Sequence, residues 1–187
     1  MDYRVISFYK YVGIKKPKIL RGLIRENCLK LNILGRVLIS KEGINGAVCG
    51  EISNIETFKE FLIKDKLFKD LTFREQDYNE QVYHKLVTRV RKEMVVFEEK
   101  FDLRNAGKHI SPKELNELIE NNKDLVILDA RNNYEYEVGK FKDPITLPIE
   151  KFREFPKQVS SLNKFKNKKI VMYCTGGVRC EKASAYL

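Results

Sequence analysis

The stretch Lys169-Ile170-Val171-Met172-Tyr173-Cys174-Thr175-Gly176-Gly177-Val178-Arg179-Cys180 decides how the second half of this chain folds. A short apolar strand runs straight into a cysteine. Two glycines and an arginine follow, and a helix-forming segment begins at Glu181. A strand that feeds a Gly-rich loop and then a helix is a unit of an α/β sheet. Such sheets hold their chemistry at the carboxyl ends of the strands. Main-chain N–H groups in this kind of loop converge on an anion, and the helix N-terminus adds positive potential. A thiol placed there is set up to ionise, so Cys174 reads as a nucleophile. Gly176 and Gly177 permit the backbone conformations that turn N–H groups inward, and Arg179 adds charge. The plainer alternative is a strand-to-helix turn with a buried cysteine.

Upstream, Leu125-Val126-Ile127-Leu128 is another continuously apolar run, as a buried parallel strand requires. It ends at Asp129-Ala130-Arg131. Asp129 is a candidate brace for Arg179, and Glu135 is another. Ser111, Pro112 and Glu114 spell a helix start: an N-cap, a proline at the first position and the glutamate of a capping box. The chain stops at Leu187, about two turns into the helix after the cysteine loop. The expectation is an α/β domain incomplete at its C-terminus, a fragment of a longer protein.

The first half has a different rhythm. Residues 4–11 read as a strand rich in aromatic and β-branched residues. Pro17 opens a helix in which Ile19, Leu20, Leu23, Ile24 and Cys28 recur at helical spacing. Strands follow at 36–40 and 47–49, with Lys41-Glu42-Gly43-Ile44-Asn45-Gly46 between them. Asn45-Gly46 favours a hairpin turn there; Lys41 holding an RNA phosphate, or the segment lining an active site, are the other two readings. Ser53 and Glu56 suggest a capping box for a second helix. Residues 71–75 read as a fourth strand. The order βαββαβ predicts a ferredoxin-like α+β domain over residues 1–97. Residues 86–97 are basic and partly alternating, either an extended connector or an extra edge strand. The polar stretch 98–107 reads as a linker, and residues 108–187 form the α/β domain.

The formal charge is +10, from 36 basic and 26 acidic residues, which points to a polyanionic partner or to a lysine-rich surface. Arg89, Arg91 and Lys92 are the better phosphate candidates, with Tyr78 and Tyr83 as stacking surfaces. The lysines at 164, 166, 168 and 169 read as solvated surface. Hydrophobic content of 43% excludes a disordered chain. No apolar run approaches the ~20 residues that span a bilayer. The N-terminus lacks the pattern of a secretory leader, so a cytoplasmic protein is expected. Four cysteines without C-x-x-C spacing and two histidines argue against a structural metal. Cys28 and Cys49 read as small buried hydrophobes.

Two segments resemble the rhodanese family: Cys174-Thr-Gly-Gly-Val-Arg179 looks like its persulfide-carrying loop, and Leu128-Asp-Ala-Arg-Asn-Asn-Tyr-Glu-Tyr-Glu-Val-Gly139 like its D-x-R…E-Y-x-x-G segment. Related phosphatases have one loop residue more, so the six residues here favour sulfur over phosphate chemistry. Phe8-Tyr9-Lys10, Lys41 to Gly46, Phe152-Arg-Glu-Phe-Pro156 and Cys174 to Ser184 narrow the resemblance to the rhodanese-domain tRNA uridine hydroxylases. That resemblance covers the whole chain. It implies oxygen-dependent 5-hydroxylation of the wobble uridine, with tRNA as partner and molecular oxygen as co-substrate. No cofactor is identifiable in the sequence. Cys174 then forms a covalent intermediate, as a persulfide, as an oxidised sulfur or by adding to the pyrimidine. Cys180 either resolves it as a disulfide or is a small core residue. Two other functions remain open: a thiosulfate-type sulfurtransferase using a Cys174 persulfide, and a non-catalytic tRNA-binding module.

Overall fold

Alternation along Tyr3–Tyr11 (β1) buries Ile6 and Phe8 on one face and puts Tyr9 and Tyr11 on the other. The computed structural model describes residues 1–122 and 124–187, in two units, Met1–Met94 and Val95–Leu187. In the first unit, β1 is followed by α1 (Pro17–Lys30), β2 (Leu34–Ser40), β3 (Gly43–Glu51), α2 (Ile52–Lys64), β4 (Arg74–Tyr78) and β5 (Leu86–Val90). The sheet order is β4-β1-β3-β2-β5. β4, β1, β3 and β2 pair antiparallel, as the ferredoxin-like expectation requires. β5 adds a parallel edge beside β2, so residues 86–90 are the extra edge strand. Both helices lie on one face. Ile24 and Cys28 of α1 and Ile55, Phe58 and Leu62 of α2 pack on Ile6, Phe8, Val37, Ile39, Ile44 and Val48. Only part of the α1 stripe is used: Leu20 packs on the core, whereas Ile19 and Leu23 are 57% and 51% exposed.

Three local expectations change. Asn45-Gly46 is not a turn. It lies inside β3, with Asn45 opposite Tyr9 and Leu38. The hairpin turns at Lys41-Glu42, between the paired Ser40 and Gly43. There the Ser40 hydroxyl accepts the Glu42 N–H at 3.1 Å, and Glu42 accepts the Met94 N–H at 2.6 Å. Gly46 is needed because the Phe8 ring lies against it; a Cβ would sit 2.5 Å from Phe8 Cζ. Ser53 does not cap α2, which starts at Ile52 after Glu51 with no side-chain cap. The fourth strand begins at Arg74 because Leu71 drops into the core before the chain joins the sheet.

The second unit contains α3 (Pro112–Asn121), β6 (Val126–Asp129), α4 (Asn133–Val138), β7 (Ile145–Thr146), α5 (Phe155–Gln158), β8 (Ile170–Tyr173) and α6 (Val178–Tyr186). Its parallel sheet runs β7-β6-β8. The Ser111 capping box forms with both of its bonds, at 2.6 and 3.2 Å. Helix α6 starts at Val178, three residues before the expected Glu181.

The units divide at Met94–Val95, before the expected boundary at 97 and linker at 98–107. Phe97 is the reason. It is fully buried in the second unit, with its ring 5.3 Å from those of Phe152 and Tyr186 and 5.6 Å from that of Phe101. Lys182 of α6 is also fully buried; its ammonium donates to the Val95 carbonyl at 2.8 Å and lies 5.2 Å from the centre of the Phe101 ring. Residues 95–101 thus belong to the core that backs the cysteine loop. Phe97→Ala is expected to destabilise the second unit by about 3–5 kcal/mol and to leave the first unaffected. Urea unfolding with hydrogen exchange read separately in α6 and β3 checks this.

Candidate active site

β8 delivers Cys174 to the carboxyl end of the parallel sheet, and α6 begins four residues later. Gly177 makes the turn. Its φ is +92°, a left-handed conformation that strains any residue with a Cβ. In that conformation its N–H donates to Cys174 Sγ at 3.0 Å. Gly176 has open space where a Cβ would lie. Its role is to offer an N–H toward the sulfur, as the N–H of Arg179 also does.

Cys180 stands in the first turn of α6, and its thiol donates to Cys174. That bond is the largest influence on Cys174. Burial opposes ionisation, but the bond, the Arg179 charge and the main-chain N–H groups outweigh it. The Cys174 thiol is held down at about 5, against an ordinary 9.0. Cys180 moves the opposite way, because its proton is held by the Cys174 thiolate and its surroundings are apolar. One sulfur is therefore a thiolate at neutral pH and its neighbour a thiol. Replacing Cys180 by alanine is expected to raise the pH midpoint of Cys174 alkylation above 5, by a unit or more on the order of one hydrogen bond to a charged group. Iodoacetamide rates measured against pH check this.

Arg179 is braced by Glu135, not by Asp129. The guanidinium makes two parallel bonds to the Glu135 carboxylate, at 2.6 and 2.7 Å. It also donates to the Thr175 hydroxyl at 2.9 Å, and that hydroxyl donates to Glu135 at 2.5 Å. Burial pushes the Glu135 carboxyl up, but these bonds win and hold it at about 2. Glu135 is positioned by its own helix start, where it accepts the Asn132 N–H as the third residue of a capping box.

Asp129 is fully buried and already engaged. It takes Arg131 through bonds of 2.7 to 3.1 Å and the Tyr173 hydroxyl at 2.5 Å. Arg131 also donates to the Gly139 carbonyl at 2.7 Å and lies 5.2 Å from the Tyr173 ring centre. Asp129 therefore fixes the strand end and the 131–139 segment that carries Glu135. The structure brings together Cys174, Gly176, Gly177, Arg179 and Cys180 and sets Asp129 in the adjoining network. Thr175, Tyr173 and Arg131 were missed by sequence reasoning. Two of them had a signal: Thr175 directly follows the nucleophile, and Arg131 is the arginine of the D-x-R segment.

The expected RNA-contacting residues all lie in the first unit. Lys41 is exposed in the β2–β3 turn, Arg89 is exposed on β5, and Arg91 and Lys92 are exposed just beyond it. The Arg91 N–H donates to Ile39 at 2.8 Å, so β5 runs alongside β2 toward the Lys41 turn. All four residues lie at or just past the same end of the β2–β5 pair. Cys28 and Cys49 are fully buried, as expected of small hydrophobes.

Comparison with known proteins accounts for both units. Residues 3–94 match the UPF0176 acylphosphatase-like domain and residues 111–187 the rhodanese-like domain. The chain thus joins an acylphosphatase-like domain to a rhodanese-like domain. Among curated relatives, a protein of Cytophaga hutchinsonii named tRNA uridine(34) hydroxylase is 38% identical over all of this chain and 60% of its own length. A phytoplasma (Aster yellows witches'-broom) relative of the same name is 40% identical, over all of this chain and 61% of its own. An Escherichia coli relative of that name is 39% identical over 97% of this chain and 53% of its own. The chain thus spans little more than half the length of the curated relatives it matches. Among the described residues, no helix is long and apolar enough to cross a membrane.

Proposed function

We propose that this chain carries the reactive cysteine of an enzyme that hydroxylates the wobble uridine of tRNA at carbon 5, with molecular oxygen as co-substrate and the cytoplasm as its place of action. The observation that carries this reading is the Cys174 thiolate. It is held at about 5 by Cys180, Arg179 and loop N–H groups, in a chain whose relatives are named tRNA uridine(34) hydroxylase. A thiolate that adds to carbon 6 of uracil pushes electron density onto carbon 5, the atom to be oxidised. Arg179, clamped by Glu135 and Thr175, keeps a positive charge beside the sulfur. The overall change balances when Cys174 and Cys180 pass from two thiols to a disulfide. Uridine, dioxygen and two thiols give 5-hydroxyuridine, a disulfide and water. An external thiol then resets the pair. Nucleoside mass spectrometry of tRNA from cells with and without the gene tests the reading. Undiminished 5-hydroxyuridine derivatives in the deletion, in an organism with no second route, would remove it.

The six-residue loop favours one further reading, sulfur transfer through a Cys174 persulfide. Loop N–H groups of the kind around Sγ also suit a terminal sulfur anion. Thiocyanate formation from thiosulfate and cyanide at rates typical of an enzyme would support it.

A further inference from the structure

The crossover from β7 to β8 travels from one end of the parallel sheet to the other. β7 ends at Thr146, opposite Asp129, the last residue of β6. Just beyond it, the Ile149 carbonyl accepts the Asn133 N–H at 2.9 Å, at the start of the helix that carries Glu135. β8 begins at Ile170, opposite Val126, the first residue of β6. The crossover therefore leaves from the end of the sheet where Cys174 sits and returns at the opposite end.

Between those points the chain is helical. 3-10 turns at Phe152–Glu154 and Val159–Phe165 flank α5. Phe152, Phe155 and Leu162 are buried, and Val159 and Phe165 pack beside them on the core. Val159, Leu162 and Phe165 recur every third residue, a spacing that a 3-10 helix stacks along one side. The polar residues are left outside. Arg153, Lys157, Lys164, Lys166 and Lys169 are exposed, and so are the neutral Ser160, Asn163 and Asn167 between them.

Charge is concentrated here. Residues 155–169 contain five lysines and no carboxylate, whereas in the rest of the unit acidic residues outnumber basic ones. A general lysine habit would be spread over both. Glu154, at the start of the crossover, is turned to the backbone and accepts the Glu150 and Lys151 N–H groups at 2.9 and 3.4 Å. Asp124 pairs with Lys168 at 2.8 Å. A surface of ammonium groups, hydroxyls and amides matches phosphate oxygens and ribose 2′-hydroxyls. Its rings give bases nothing to stack on. Phe152 and Phe155 are buried, and Lys164 lies over Phe165, 5.1 Å from the ring centre. An unpaired strand would gain little here beyond its charge. Double-helical RNA is the polyanion that fits, because it turns its bases inward and presents phosphate and ribose.

We propose that the outer side of the β7–β8 crossover binds the phosphate backbone of a double-helical arm of tRNA, leaving the unpaired wobble nucleotide for the cysteine end of the sheet. This rests on the tRNA reading above. It gives a partner to lysines that read in sequence as solvated surface.

The test is fluorescence anisotropy of the 187-residue chain with labelled tRNA, a short RNA duplex and oligouridylate, each titrated at several salt concentrations. Lys157→Gln, Lys164→Gln and Lys166→Gln are combined in one variant. It is expected to bind tRNA and the duplex about tenfold or more weakly, and to reduce the log–log salt slope by about 2.7, from about 0.9 for each phosphate contact on a duplex. A second variant combines Lys100→Gln, Lys108→Gln and Lys113→Gln, which removes the same charge from exposed positions elsewhere in the unit. It is expected to keep most of the wild-type slope. Circular dichroism and thermal unfolding establish that both variants are folded. Equal losses in the two variants would overturn the proposal, because net charge alone would then account for binding. Wild-type affinity in the folded crossover variant would overturn it too, as would tighter binding of oligouridylate than of the duplex, or no binding of tRNA by the wild-type chain. Hydroxylation is read separately from nucleosides. Wobble hydroxylation together with binding indifferent to the crossover lysines removes the surface and keeps the hydroxylase reading. Lysine-dependent tRNA binding without wobble hydroxylation keeps the surface and removes the hydroxylase reading.

Discussion

Cys174→Ser is expected to abolish 5-hydroxyuridine formation, with the nucleoside falling to the level of the gene deletion when the variant gene replaces wild type. The substitution changes one atom and leaves the loop geometry in place. What it removes is the anion. A serine hydroxyl in the same N–H cradle stays protonated at neutral pH, whereas Cys174 at about 5 is almost wholly thiolate. The loss is expected in the chemical step, with tRNA affinity preserved. Retained hydroxylation would exclude Cys174 as the nucleophile. The same ionisation has a stability signature. An acid whose value is lowered on folding stabilises the native state fully above its unfolded value, here near 9.0, and that contribution fades as pH falls to about 5. Wild type is therefore expected to lose stability relative to Cys174→Ser between pH 9 and pH 5. Thiol alkylation should show a midpoint near pH 5 in wild type and no corresponding site in the variant.

The sequence discloses the cysteine loop because its determinants are local. Strand, thiol, glycines, arginine and helix occupy adjacent positions, and the φ of +92° at Gly177 falls where only glycine is comfortable. The brace on Arg179 was not legible to the same degree. Asp129 and Glu135 are equally good carboxylates in sequence, and both are far from Arg179 along the chain. What separates them is occupancy: Asp129 is taken by Arg131, two residues on, and by Tyr173. The βαββαβ order was readable from periodicity, yet Asn45-Gly46 was not. A strong local turn signal is overridden by the Phe8 ring, a contact made across strands. Phe97 was obscured for the opposite reason, being one aromatic beside a polar segment. Its buried position depends on Phe152, Phe155 and Tyr186 much later in the chain.

Glu135→Ala is expected to be the most damaging change outside the thiol itself. It strips Arg179 of both carboxylate bonds and Thr175 of its acceptor while leaving a largely buried guanidinium behind. Removing one partner of a buried pair costs more than the pair contributes, because the remaining charge is left without compensation. A loss of about 2–4 kcal/mol in stability is expected, and hydroxylation should fall by about 100-fold or more as Arg179 leaves its place beside Cys174. The pH dependence isolates this bond. Glu135 stands at about 2 in the folded chain against an ordinary 4.5, so its contribution is complete above 4.5 and disappears as pH falls through 2. That window holds about 3 kcal/mol of wild-type stability, from about 1.4 kcal/mol for each unit. Glu135→Ala should lack it, and acid unfolding of the variant should lose its steepest part below pH 4. Cys174 reports the catalytic side of the same change. With Arg179 displaced, its alkylation midpoint should move up from 5. An unchanged midpoint in a folded Glu135→Ala variant would assign the thiolate to Cys180 and the loop N–H groups alone. Asp129→Asn supplies the contrast: it weakens the Arg131 bonds at the strand end and removes neither Glu135–Arg179 bond directly, so a smaller rise in the Cys174 midpoint is expected than in Glu135→Ala.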